Sequence, residues 1–400
     1  MSLLKVQTVS TTLRPYFKTC MAGCLSVAAV CSFAQPSLDF VTGKALFEKQ
    51  WVFAPASTGA SDGLGPYFNA RSCNECHQGG GRGEGDIART VHIADRVYGE
   101  QLQKYTRPGI PAEARISVRW SDPEVTRSLP VAAVEITDLH YGPMRDPAVS
   151  LRFAPALYGL AELESIPASV IESMADPNDE DGDGISGRVN RLRNGEPGRF
   201  GWKASQPSIR NQVGRALSLD LGLGNPVVHS GHGDCTSWQT ACLDAPTGND
   251  AGSLEVSEQA LELLLAYVRG LKAPPPVDLS QPGMMRGSEL FSGIGCAQCH
   301  FPEISSNEVT LAPYTDLLLH DMGPGLADQL TEGSAAGEEW RTPPLWGLAT
   351  MRGNFLHDGR ARNLREAILW HDGEGRAARQ AFLELNSDEQ SDVFTFLGGL

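Results

Sequence analysis

Cys73-Asn74-Glu75-Cys76-His77 and Cys296-Ala297-Gln298-Cys299-His300 are the two stretches on which the reading of this chain turns. Each sets two thiols three residues apart, on one face of a single helical turn, with an imidazole directly behind them. That spacing lets the thiols form thioethers to the two vinyl groups of a haem while the histidine swings beneath the ring to bind iron. Zinc and dithiol redox sites also use Cys-x-x-Cys, but two copies, each followed by His, point to two covalently bound haem c groups. His77 and His300 are then the proximal iron ligands, and Cys73, Cys76, Cys296 and Cys299 the attachment points.

Working outward, the surroundings of the two motifs repeat. Gly43-Lys44-Ala45-Leu46-Phe47 precedes the first and Gly287-Ser288-Glu289-Leu290-Phe291 the second. Beyond them, Arg152-Phe153-Ala154-Pro155-Ala156-Leu157-Tyr158-Gly159-Leu160 echoes Arg341-Thr342-Pro343-Pro344-Leu345-Trp346-Gly347-Leu348. A doubled order of this length describes a domain pair rather than a solenoid. The expected fold is mainly α: two tandem cytochrome c-like domains, the first enlarged by insertions that carry a small β element. Residues 256–271 read as an amphipathic helix capped by Ser257 and stopped before Pro274-Pro275-Pro276, the best linker in the chain. The first domain is therefore drawn over 35–280 and the second over 281–400, opening with a helix at 283–292 and closing with one at 387–397. Alternation at Ile116–Trp120 and Val131–Thr137 predicts a hairpin within the first insertion.

The first 34 residues carry Lys5, Arg14 and Lys18, no acid, and an apolar run from Met21 to Ala34. With Ser32-Phe33-Ala34 as the cleavage site they read as a signal peptide over 1–34, which places the mature chain in the periplasm. Met21-Ala22-Gly23-Cys24 loosely resembles a lipoprotein box, but the apolar run before Cys24 is very short. No later segment has 18 uninterrupted apolar residues, so no membrane span is expected in the mature chain. The net charge of -15 disfavours nucleic acid and anionic membranes and suits a basic redox partner, an electron donor or acceptor of the small cytochrome or cupredoxin type. Solubility alone would also account for it. Cys235 and Cys242 lie in a polar loop and predict a local disulfide in an oxidising compartment.

Further motifs identify relatives. Arg341–Leu348, Phe355-Leu356-His357-Asp358-Gly359-Arg360-Ala361 and Leu364-Arg365-Glu366-Ala367-Ile368 resemble the C-terminal module of bacterial di-haem cytochrome c peroxidases and MauG. With Tyr314–Gly323, Asp179–Arg188 and Gly198–Ala204, the chain from about residue 40 to 400 more closely resembles the di-haem oxidoreductase, or thiol oxidoreductase-like, family. In the peroxidases a Met after the His-Asp-Gly-Arg segment and its helix binds the second iron. His371 stands there in this sequence, making it the candidate distal ligand opposite His300, with Met322 as rival. Imidazole in place of thioether lowers the potential. The same resemblance makes His320 and His357 candidates for contacts around the haem or its propionates.

For the first haem, His92, His140 and Tyr141 are alternative distal candidates. Peroxidase chemistry needs an acid–base group over an open iron, and Glu162 or Glu164 could serve, Glu162 being the catalytic candidate. The chain departs from the peroxidases here: their Phe-Trp-Asp-Gly-Arg segment is replaced by Ala161–Pro167. Asp179, Asp181, Asp183 and the Ile185 carbonyl fit the first half of a calcium loop, although its twelfth position is Asn190 and not Glu. The function classes left open are a di-haem oxidoreductase with peroxidase-like or substrate-oxidising chemistry at one haem, a pure electron-transfer cytochrome, and a redox component of a periplasmic iron-handling system.

Overall fold

The repeated Gly-x-x-Leu-Phe stretches lie in the second halves of two helices, and each helix crosses another at its glycine. The computed structural model describes residues 36–400 except 60, 122–128, 146, 250–251 and 307–309; the expected signal peptide lies outside the described residues. Leu38–Glu48 is capped by Ser37, whose hydroxyl accepts from Phe40 N, and it crosses Glu258–Gly270. Pro282–Gly293 crosses Ser387–Leu397 in the same way. At the crossings there is no space for a side chain. A Cβ on Gly43 would lie 2.0 Å from Leu263 O, and one on Gly287 2.1 Å from Asp392 O. The aromatic four residues on then packs against the facing helix: Phe47 on Tyr267 at 4.9 Å and Phe291 on Phe396 at 5.4 Å. The repeat thus encodes a helix crossing, with glycine for approach and phenylalanine for burial. Gly287→Ala is expected to cost about 1–3 kcal/mol through overpacking, read as a lower midpoint in urea unfolding of the haem-loaded protein.

The helix ends fall where the sequence signals place them. Ser257 accepts from Ala260 N at the start of Glu258–Gly270. Asn386 and Glu389 form a capping box on Ser387–Leu397. Arg115–Trp120 pairs antiparallel with Ala132–Thr137, the expected hairpin.

A second sheet, beyond the expected hairpin, is present. Arg89–Asp95 is its central strand, antiparallel to Gly99–Leu102 on one side and Val149–Phe153 on the other. Its buried Val91, Ile93, Leu102 and Leu151 join Tyr98 in a core shared with the half-buried face of the hairpin, Ile116, Val118, Val134 and Ile136. Helix makes up 31% and strand 15% of the structure, so helices lead but the β element is larger than expected. A further helix, Ile209–Leu221, is capped by Ser208 and closed by Gly222. Cys235 and Cys242 are disulfide-bonded, as expected. Ser37–Leu400 is one compact unit, and no helix among the described residues is long and apolar enough to cross a membrane.

Candidate functional site

The first motif forms one turn of helix, Cys73–Cys76, and the second a 3-10 turn, Cys296–Gln298. All four thiols are free and half-buried. Burial pushes the Cys73, Cys76 and Cys296 thiols up to about 12, and raises Cys299 as well.

The histidines behind them are oriented by backbone carbonyls. His77 Nδ1 lies 2.8 Å from Pro155 O, and His300 Nδ1 lies 3.0 Å from Tyr314 O. In each ring the carbonyl fixes the proton on Nδ1 and leaves the Nε2 lone pair for a metal. Burial pulls both imidazoles down to about 4, so they are neutral at physiological pH, the form that ligates. Paired thiols and a neutral imidazole are the donor set that haem c requires, and the residues fit that group at both motifs.

The distal sides differ. His371 follows the Leu364–Leu369 helix, its Nδ1 2.8 Å from Ala367 O, and its ring faces His300 with 6.5 Å between centroids. Two imidazoles bound through Nε2 to one metal at ~2 Å hold their ring centres roughly 6 Å apart, so the spacing fits a shared iron. Met322 instead packs with Trp202, Leu326, Trp340, Leu356 and Trp370. Among the described residues no aromatic or imidazole ring pairs with His77. The three candidates for that place have other partners. His92 Nε2 bonds Thr90 Oγ1, and burial holds the ring down to about 3. His140 is exposed and meets the Tyr141 ring edge-on at 5.0 Å, and the Tyr141 hydroxyl meets Tyr67 Oη at 2.6 Å.

The family model described as "Di-haem oxidoreductase, putative peroxidase" matches residues 19–93 and 143–400. The chain belongs to the di-haem oxidoreductase family. The segment outside the match, 94–142, holds the hairpin, the expected insertion. No curated protein matches. Among solved structures, this di-haem oxidoreductase is similar to hydrazine synthase from Kuenenia stuttgartiensis. The two share 14% identity at a TM-score of 0.41, covering 97% of this chain and 100% of that one. It is also similar to the diheme peroxidase BthA from Burkholderia thailandensis, at 14% identity and a TM-score of 0.38, covering 92% and 86%.

Between the two motifs of the di-haem oxidoreductase, the Arg-x-x-Pro echoes interlock. Gly159 and Gly347 have positive φ, 77° and 82°. A Cβ on Gly159 would strike the Trp346 ring at 2.3 Å, and one on Gly347 would strike Tyr158 Oη at 2.2 Å. Each aromatic therefore sits over the other repeat's glycine. This contact joins the segment holding His77 to the one beside the second motif. Sequence reading found the echo but not this function for it, because only the paired fold shows that the two copies meet.

His320 has both ring nitrogens taken by acids, Nε2 by Asp316 at 2.8 Å and Nδ1 by Glu374 at 2.6 Å, with Cys299 Sγ 3.8 Å away. Burial opposes its charge, but the bonds to Asp316, Cys299 and Glu374 outweigh it and hold the imidazolium well above its usual range. With both nitrogens committed, His320 has no donor left for a propionate. His357 stacks on Trp340 at 3.7 Å and is held neutral by burial and by the cations Arg360, Arg152, Lys203 and Arg82.

The acidic loop brings together the carboxylates of Asp176, Asp179 and Asp181 rather than the four positions read from the sequence. Asp183 turns away, accepting from Gln298 in the second motif at 2.7 Å and from Ile185 N. Asn190, the twelfth position, is fully buried and ties Lys203 O and Glu332 O to the Ser334 amide. Glu162 lies on Leu160–Glu164, with Oε1 3.6 Å from Lys272 Nζ and Oε2 buried without a partner. Glu164 is committed to Ile209 N and Arg269 Nε.

Proposed function

We propose that this is an exported, periplasmic di-haem c-type oxidoreductase in which the second haem relays electrons and the first, open on one face, reduces peroxide or oxidises a small substrate. The observation carrying this reading is the difference between the two proximal histidines. His300 faces His371 at 6.5 Å, whereas His77 has no such partner among the described residues. Bound at these motifs, haem would supply one-electron redox chemistry and, where a face is free, an iron that takes a small ligand.

The chain's residues do the rest. Pro155 and Tyr314 carbonyls hold the His77 and His300 tautomers. His371, tied to Ala367 O, closes the second site to substrate. Reducing a peroxide to water consumes two protons and two electrons. Glu162, with one buried oxygen free, is the group proposed to hold and move a proton at the first site. Electrons would arrive from a small cytochrome or cupredoxin, whose basic surface the acidic chain would attract. Two helix crossings of one design, each next to one motif, support the reading as two cytochrome-like modules.

The test is electron paramagnetic resonance of the ferric, haem-loaded protein before and after one-electron reduction. A high-spin signal that responds to peroxide is expected beside a low-spin one. Two low-spin signals in the diferric state, with the haem that stays ferric after one-electron reduction still low-spin, would leave a pure electron carrier.

A further inference from the structure

Most buried cations of this protein have acids. Arg152 pairs with Asp328 and Glu332, Lys203 with Asp328, and Arg360 with Asp358. Arg199 donates to the carbonyls of Leu163, Glu164 and Ile166, where the negative end of a helical turn meets it.

Arg82 and Arg341 have no acid bonded to them among the described residues. Arg82 is enclosed by the rings of Phe153 and Trp202, each 5.3 Å from its guanidinium carbon, and donates only to the carbonyls of Asn354 and Leu356. Arg341, 8% exposed, donates only to Gly201 O and Thr342 O. Among the described residues, Nη1 of Arg82 and Nη2 of Arg341 make no hydrogen bond. A desolvated cation with only neutral acceptors is costly, and an anion that joins it removes the cost.

Position identifies that anion. Arg82 lies five residues after His77, and its neighbour Gly83 is pressed against the first motif: a Cβ there would be 2.7 Å from Cys76 O. Arg341 precedes Thr342, which bonds Leu318 and Thr315, and Thr315 follows the Tyr314 whose carbonyl holds His300. One arginine with no acid hydrogen-bonded to it therefore stands beside each motif, Asp358 and Asp316 acting on Arg82 and Arg341 only through space. The repeat partner of Arg341, Arg152, is fully paired with acids, so the repeat alone does not explain the unpaired one. Haem carries two propionate carboxylates on its edge, and guanidinium matches a carboxylate in a two-pronged fork.

We propose that Arg82 holds a propionate of the haem at Cys73–His77, and Arg341 a propionate of the haem at Cys296–His300. This rests on the reading that both motifs carry haem.

The experiment is optical redox titration of each haem at several pH values in the haem-loaded protein and in Arg82→Gln, Arg341→Gln and the two Lys variants, with haem content measured alongside. Arg82→Gln is expected to lower the potential of the first haem alone, since a nearby cation disfavours the ferric state. The lowered potential should also rise as pH falls, because a released propionate takes up a proton. Arg341→Gln should do the same to the second haem alone, and Lys should restore most of the shift. Full haem content with unmoved potentials, or both haems moving together, overturns the assignment. Absence of bound haem overturns the haem reading itself, and this inference with it. If the Gln variants do not accumulate, resonance Raman of the unaltered protein decides. Propionate bands that stay constant across the near-neutral range support the clamp, and bands that shift there, as free propionates do, overturn it.

Discussion

Glu162→Gln is expected to reduce peroxide turnover about 10²–10⁴-fold, the span that a positioned acid–base group contributes, with haem content and both potentials unchanged. The reason lies in how the two Glu162 oxygens are used. Oε1 is 3.6 Å from the exposed Lys272, a contact of little energetic weight. Oε2 is buried and accepts nothing. A buried carboxylate oxygen without a donor is costly to keep, and a place for a proton in transit is one physical reason to keep it. Gln has the same shape but cannot exchange a proton, so the variant separates chemistry from packing. The pH profile provides the second reading: it should lose its acid–base limb in Glu162→Gln and keep it in Lys272→Met. If Glu162→Gln turns over at the parental rate, Glu162 is only the partner of Lys272, and proton handling must lie elsewhere. Glu164 is a poor substitute, since Ile209 N and Arg269 Nε already bond it.

How much of this site was legible beforehand depended on the range of the interactions involved. The haem motifs are local: five consecutive residues hold the attachment chemistry, and their spacing alone places two sulfurs on one turn. The recurrence of Gly43 and Gly287, each with a phenylalanine four residues on, is legible as a repeat, but that it marks a helix crossing shows only in the fold, where the facing helices meet. His371 was found only through resemblance, since nothing local marks a histidine that must meet another 71 positions away. The sheet built on Arg89–Asp95 is hard to see in the sequence because its strands come from either side of the hairpin, and its outer Val149–Phe153 strand runs into the Arg152–Leu160 echo. In the acidic loop, position number points to Asp179, Asp181 and Asp183, but side-chain direction gathers Asp176, Asp179 and Asp181. Asp183 is turned to Gln298 by the neighbouring motif, a contact spanning 115 positions. Likewise, the double acid grip on His320 needs Glu374, 54 residues away, and sequence spacing carries no sign of it.

His371→Ala is expected to convert the second haem from low-spin to high-spin, and His371→Met to keep it low-spin at a higher potential, within the ~0.8 V range that axial ligation spans. The expectation follows from two constraints that act on His371 together. Ala367 O holds Nδ1 and turns Nε2 outward, and the 6.5 Å spacing to His300 leaves room for one metal between the rings and no further ligand. Met322 is the residue to test against it. Gly375 places both nearby: a Cβ there would lie 3.1 Å from His371 Cβ and 3.5 Å from Met322 Cε. A thioether is a recognised haem ligand, so proximity alone does not separate the two. Met322, however, packs among Trp202, Leu326, Trp340 and Trp370, an apolar setting that holds its sulfur as core filler. Met322→Leu should therefore leave the spin state and potential of the second haem where they are. If Met322→Leu abolishes the low-spin signal and His371→Ala does not, the thioether is the ligand, and the second site is then the high-potential kind found in the peroxidases that the sequence resembles.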